Sequence, residues 1–164
     1  MAIPSESGGS RAVVVPYRDE FRAVFAQLNR EWIETYFELE PADQEILGDP
    51  RGKIVDRGGQ VFYLLDGGEV QGTCAVLRHN AQECEIAKMA VAPAARGRGF
   101  SDLLMEASVA FARRIGSRKV VIISNTLLEP AIRLYRKHGF VPVPLAADPR
   151  YRRANIRLEL ELQA

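Results

Sequence analysis

The stretch EIAKMAVAPAARGRGFS, from Glu85 to Ser101, restricts the folds open to this chain more than any other. It starts as an apolar strand, turns at Pro93, crosses a glycine–arginine loop and opens a helix. A strand feeding a glycine-rich loop onto a helix start leaves backbone N–H groups converging on one point, where the helix dipole also favours negative charge. Such a turn holds phosphate, and Arg96 and Arg98 add positive charge at its mouth. It is not a Walker A loop, because no Gly-Lys-Ser/Thr follows. Nor is it the dinucleotide fingerprint, since Asp102 stands where the third glycine belongs. Taken alone, the loop could instead be a structural strand–helix turn, so the rest of the chain decides.

Ala12 to Pro16 is a β-branched run that reads as the first strand. Asp19 is placed to cap a helix in which Phe21, Val24, Phe25, Leu28 and Trp32 share one face. Pro41 interrupts the apolar content beyond it, Asp43 is expected to cap a short helix through Leu47, and Asp49-Pro50 ends that. Val61 to Leu65 and Val70 to Leu77 form a hairpin about the tight turn Asp66-Gly67-Gly68, with Gly72 a possible bulge. A turn at His79 to Gln82 leads into the strand Glu83 to Val91. The helix after the loop carries Leu104, Ala107, Phe111 and Ile115 on one face and stops at Gly116. Val120 to Ser124 is an apolar strand suited to burial on both faces. Ala131 to His138 is a helix with Pro130 in its first turn and Gly139 as its left-handed cap. Phe140 to Val143 and the alternating Ile156 to Leu162 close the chain as strands. The order predicts one α/β domain over residues 12–164, a mixed sheet with helices packed on it, behind a flexible tail at residues 1–11.

A formal net charge of +1 over 164 residues gives no bulk reason to bind nucleic acid or an anionic membrane. No zinc-finger spacing, RNP-like pattern or dominant basic stripe is present. No apolar run approaches the ~20 residues that span a bilayer. The first residues lack the apolar core of a signal peptide, which makes the cytoplasm the expected compartment. Cys74 and Cys84 fall in adjacent strands, staggered about a turn near Asn80, so two free buried thiols are expected.

Val91-Ala92-Pro93-x-x-Arg96-Gly97-Arg98-Gly99-Phe100-Ser101-x-x-Leu104 resembles the acetyl-CoA loop of the GNAT superfamily, written Arg/Gln-x-x-Gly-x-Gly/Ala. Ala131 to Phe140, a helix with Tyr135 that ends in Gly139-Phe140, resembles that family's second signature. The element order matches from about residue 12 to 162. Ser101, at a position usually Gly or Ala, is the one departure; it is small and keeps its N–H. The resemblance implies a single GNAT-like domain with a mixed, mostly antiparallel sheet of about seven strands and helices on both faces. It implies transfer of an acetyl group from acetyl-CoA, without a metal, to a primary amine of a small molecule or amino-acid-like compound. A protein or peptide acetyltransferase acting on lysine or an N-terminus, and a non-catalytic acyl-CoA sensor, are the alternatives.

On that footing Met89, Ala90 and Val91 offer strand-edge groups to pantetheine, and an N–H of Ala90 or Val91 faces the thioester oxygen. Arg96, Gly97, Arg98, Gly99, Phe100 and Ser101 form the pyrophosphate cradle, and Asn125 is a further cofactor contact or simply an Asn turn. Tyr135 corresponds to the family tyrosine and is the expected general acid; Glu85 is the expected base, or else an ordinary strand carboxylate. Strand alternation places Glu85 on the face of Ala87, Met89 and Val91, opposite Lys88. Between Glu31 and Asp49 lie seven acidic and no basic residues, interleaved with Trp32, Tyr36 and Phe37. That is an acceptor wall attractive to a cationic amine, or the solvated face of packed helices. Tyr151, with Asp148, Arg150, Arg152 and Arg153, belongs to a second wall whose arginines could hold a carboxylate. Monomer and homodimer both remain open.

Overall fold

The computed structural model describes residues 11–146 and 150–163, so the expected tail lies, apart from Arg11, outside the described residues, as does Asp148. Seven strands form one sheet in the order β1-β2-β3-β4-β5-β7-β6. They are β1 (Ala12–Pro16), β2 (Gln60–Asp66), β3 (Glu69–Arg78), β4 (Glu83–Val91), β5 (Lys119–Ser124), β6 (Val141–Val143) and β7 (Ile156–Glu161). Every pairing is antiparallel except that of β4 with β5. The last strand enters between β5 and β6, leaving β6 at the edge. Strand order in sequence does not reveal that insertion.

Helices cover both faces. On one side α1 (Arg22–Tyr36), α2 (Pro41–Gly48) and α3 (Pro50–Lys53) enclose a core of Phe25, Ile33, Leu47, Ile54, Val61 and Tyr63. On the other, α4 (Phe100–Arg114) and α5 (Glu129–Lys137) cover Leu64, Val76, Ile86, Leu104, Ile122 and Leu158. The strands between these layers are apolar on both sides, as β2 shows with Val61 through Leu65 all buried. Among the described residues no helix is long and apolar enough to cross a membrane.

Three local expectations are corrected. Asp19 sits inside a 3₁₀ turn rather than capping α1, whose N-cap is Phe21; its carboxylate instead accepts from Arg51 at 2.7 Å. Helix α2 begins at Pro41, with Glu40 and Asp43 in a reciprocal capping box, so Asp43 is the third helical residue and not the cap. The buried stripe of α4 is Phe100, Leu104, Ser108 and Ala112, turned from the expected one so that Ala107 and Phe111 pack only at its margin. Ser108 is tolerated there because its hydroxyl meets the Cys74 thiol at 3.4 Å. Cys74 and Cys84 are indeed free and buried.

The hairpin turn Gly67-Gly68 has positive φ at both glycines, as a two-residue turn of the I′ kind requires. Gly72 is not itself the bulge: the register of β2 with β3 skips Gln71 beside it. Gly72 is small because a Cβ there would come within 3.0 Å of the Leu104 side chain.

Candidate active site

Strands β4 and β5 are paired only from Glu83 to Glu85 against Lys119 to Val121. Past that point they part, and the wedge between them is the mouth of a cavity of ≈ 490 Å³. Its walls are β4 from Glu85 to Val91, the loop to α4, the end of β5, and α5 with Tyr135; Trp32 and Tyr36 of α1 and the following Phe37 close one end with Tyr151 and Arg153. Tertiary structure thus brings nearly all the sequence-derived site residues into one space.

A bulge in β4 shapes that wall. Thr73 faces Ala90 and Ala75 faces Ala87, so one residue of β3 opposes two of β4, and Lys88 takes a left-handed φ of 54°. The bulge resets the alternation, which corrects the expected facing. Glu85 and Lys88 point to the side of α1 and α2, whereas Met89 and Val91 pack towards α4. Beyond the bulge the pleat is regular. The Ala92 N–H donates to Gln71 on β3, and the Val91 carbonyl accepts from Arg96 Nε at 3.3 Å. Successive residues of a strand direct their peptide groups to opposite sides, so Val91 presents its own away from β3, towards the wedge.

The loop leaves backbone N–H groups at the start of α4 without a side-chain cap. Gly97 and Gly99 both have φ 78°, and a Cβ at either would meet nothing within 4 Å. They stand over open space in a backbone conformation that side chains rarely adopt. Gly99 is the N-cap of α4 and no side chain caps it. Arg96 lines the cavity; Arg98 does not, being drawn to Asp66 at 2.7 Å and stacked 4.6 Å from the Phe100 ring centroid. Ser101 lines the cavity at the first turn of α4.

Tyr135 is 9% exposed and rests edge-on against Phe140. Burial pushes its phenol well above the ordinary range, with the Ser124 hydroxyl pulling weakly the other way, so it is protonated at neutral pH. Glu85 is 3% exposed. Burial alone would raise its carboxyl, but His79 at 2.8 Å and Arg150 at 2.9 Å, both on Oε1, outweigh burial and hold it below its usual range. Asn125 is engaged at both ends of its amide, donating to the Arg153 carbonyl at 2.6 Å and accepting from the Leu127 N–H at 2.8 Å. It is an Asn turn that also ties down the chain before β7.

The acceptor end departs furthest from expectation. Asp43 has no exposed surface and binds Arg153 through both oxygens, at 2.6 and 2.7 Å, while Lys88 donates to it at 2.5 Å. Glu40 takes Arg153 at 3.2 Å and the Arg152 N–H at 2.7 Å. The Arg153 guanidinium lies 4.6 Å from the Tyr151 ring centroid, 5.8 Å from Trp32 and 6.0 Å from Phe37. Two carboxylates of the acidic wall are therefore paired within the protein, and burying Asp43 without cations would cost several kcal/mol. Lys88 was missed as a lining residue, and Asp43 and His79 as the partners of Arg153 and Glu85; only the Glu40–Asp43 spacing of a capping box hinted at an ordered carboxylate.

The chain matches the family described as Acetyltransferase (GNAT) family over residues 21–140 and belongs to it. Solved relatives share the fold. A GNAT-family acetyltransferase from Staphylococcus aureus Mu50 superposes with a TM-score of 0.84 at 14% identity, covering 93% of this chain and 99% of its own. A GNAT superfamily phosphinothricin acetyltransferase from Sinorhizobium meliloti, solved in complex with AcCoA, gives 0.74 at 19% identity, covering 92% and 88%. In sequence, the mycothiol acetyltransferase of Corynebacterium glutamicum is 33% identical over 84 residues, 51% of this chain. The match spans only 29% of that relative's length.

Proposed function

We propose that this chain is an N-acetyltransferase that moves an acetyl group from acetyl-CoA directly to a primary amine of a small, amino-acid-like molecule. One observation carries the reading: two parallel strands part at Glu85, and the space between them joins an uncapped glycine loop to the buried Tyr135 hydroxyl. Acetyl-CoA, when bound, supplies an acyl thioester, and membership of the GNAT family supports it as the donor.

The chain's own groups divide the remaining work. Gly97, Gly99, Phe100 and Ser101 offer backbone N–H groups to the pyrophosphate, and Arg96 adds charge; Arg98 serves the loop by holding it to Asp66. Met89, Ala90 and Val91 form the pantetheine edge, with the Val91 N–H on the wedge side as the donor to a developing oxyanion. An alkylamine is neutral about once in 10³ to 10⁴ molecules at pH 7, a handicap of ~4–5 kcal/mol, so a proton must leave it. Glu85, ionised and lining the cavity, accepts that proton through water, while Tyr135 holds a proton at Oη for the departing sulfur. Trp32, Tyr36 and Tyr151 flank the amine. The two buried free thiols suit a reducing cytoplasm, and the edge strands β1 and β6 are compatible with a monomer or an edge-paired homodimer.

The test is an amine panel scored by release of free thiol from acetyl-CoA. Tyr135→Phe is expected to cut turnover by about 10²-fold while changing acetyl-CoA affinity little. Unchanged turnover would remove Tyr135 from the acid role, and no thiol release with any amine would leave only acyl-CoA binding.

A further inference from the structure

Behind the partition formed by Glu85, His79, Arg150 and Tyr151 lies a second cavity of ≈ 270 Å³, distinct from the wedge. It is lined by Lys53 and Arg57 from the α3 region and by Arg78 and His79 from the end of β3, with Arg150 at its border. Among the described residues Glu45 is the one acidic side chain on its walls, although the whole chain carries only a +1 net charge. Lys53, Arg57 and Arg78 make no ion pair among the described residues, in contrast to Lys88, Arg98 and Arg153 around the wedge. Cations gathered about one concavity repel each other, and a bound oxyanion relieves that repulsion through charge-assisted hydrogen bonds. Three such cations, two from the α3 region and one from the end of β3, match more than one negative charge.

We infer that this cavity is a binding site for a phosphate-class dianion, formed by Lys53, Arg57, Arg78 and His79. His79 and Arg150 belong to its wall and also hold Oε1 of Glu85, while Tyr151 lines both cavities. The dianion is therefore one bonded residue away from the wedge. It is either a separate ion or the phosphate of the acceptor itself, reaching past Tyr151. The second source rests on the acetyltransferase reading; the site itself does not.

Inorganic phosphate is titrated into the full chain with the glycine loop saturated by CoA, and followed by calorimetry and by the imidazole resonances of His79. Saturable binding is expected, weakened at least 10-fold in Arg57→Gln/Arg78→Gln. The control Arg133→Gln/Arg136→Gln, on α5, removes the same charge and leaves the affinity within 2-fold. Both variants alter side chains outside the core, and matching melting temperatures verify their folds. No saturable binding, or equal weakening in the two double variants, overturns the site, whether or not CoA binds. A KM at least 10-fold lower for phosphate-bearing amines than for plain ones, lost in Arg57→Gln/Arg78→Gln, assigns the dianion to the acceptor. A change in turnover of a plain amine on adding phosphate, lost in the same variant, assigns it to a separate ion.

Discussion

At the scale of single residues, Asp43 has the most one-sided environment. Burial alone would raise its carboxyl, yet Arg153 and Lys88 together hold it at about 2. A folded value below the unfolded 3.8 stabilises the fold above that range, and the contribution is lost as pH falls through the folded value. The difference corresponds to about 2 kcal/mol, fading between roughly pH 5 and pH 2. Urea melts over that window should show the loss in the wild type and a flatter profile in Asp43→Asn. At pH 7 the same variant should be less stable by about 3 kcal/mol, since it strands the buried Lys88 and leaves Arg153 with Glu40 alone. Equal pH profiles would mean that the network does not couple to folding. Glu85 teaches a related lesson: its carboxyl lies below the ordinary range, so under the proposed mechanism an acid limb near neutral pH is expected from the amine and not from Glu85. An acceptor of lower amine pKa should shift that limb downwards, and a fixed limb would count against direct use of the neutral amine.

At the scale of elements, the loop into α4 and the bulge in β4 do different work. Gly97 and Gly99 need their left-handed φ, and an L side chain there costs about 1–2 kcal/mol. Gly99→Val should accordingly weaken acetyl-CoA binding by isothermal titration at least 10-fold, because the N–H groups would no longer converge. Gly72→Ala tests packing behind the wedge. Its Cβ would press on Leu104 at 3.0 Å and on the Ala90 carbonyl at 3.3 Å, an overpacking worth about 1–3 kcal/mol in a chemical melt. Strand and helix identities were legible from periodicity, and the loop from its glycines. The bulge at Lys88 was not, because strict alternation is the only signal a strand offers and a non-glycine bulge leaves no mark in composition.

At the scale of the whole molecule, the sheet is divided into an antiparallel part, β1 to β4, and a second part, β5 to β7, that meet only through three residues of β4 and β5. Few backbone bonds join the two parts, so a ligand lying in the wedge adds contacts to both. At a hundred times its dissociation constant, acetyl-CoA should add about 2.7 kcal/mol of stability. For a domain of this size that raises the melting temperature by roughly 5–10 °C, and no shift at saturation would remove the donor reading altogether.

By itself the sequence determined the mixed α/β domain, the glycine loop, the tyrosine-bearing helix and the resemblance that they carry, because each rests on neighbours within a few residues. Only the tertiary structure decided which way Lys88 faces, that Asp43 and Glu40 are neutralised by Arg153, that Arg98 serves Asp66, and that β7 enters between β5 and β6. Those outcomes depend on groups far apart in the chain. Arg153 and Asp43, more than a hundred residues apart, meet because a buried carboxylate must find a cation wherever the fold supplies one.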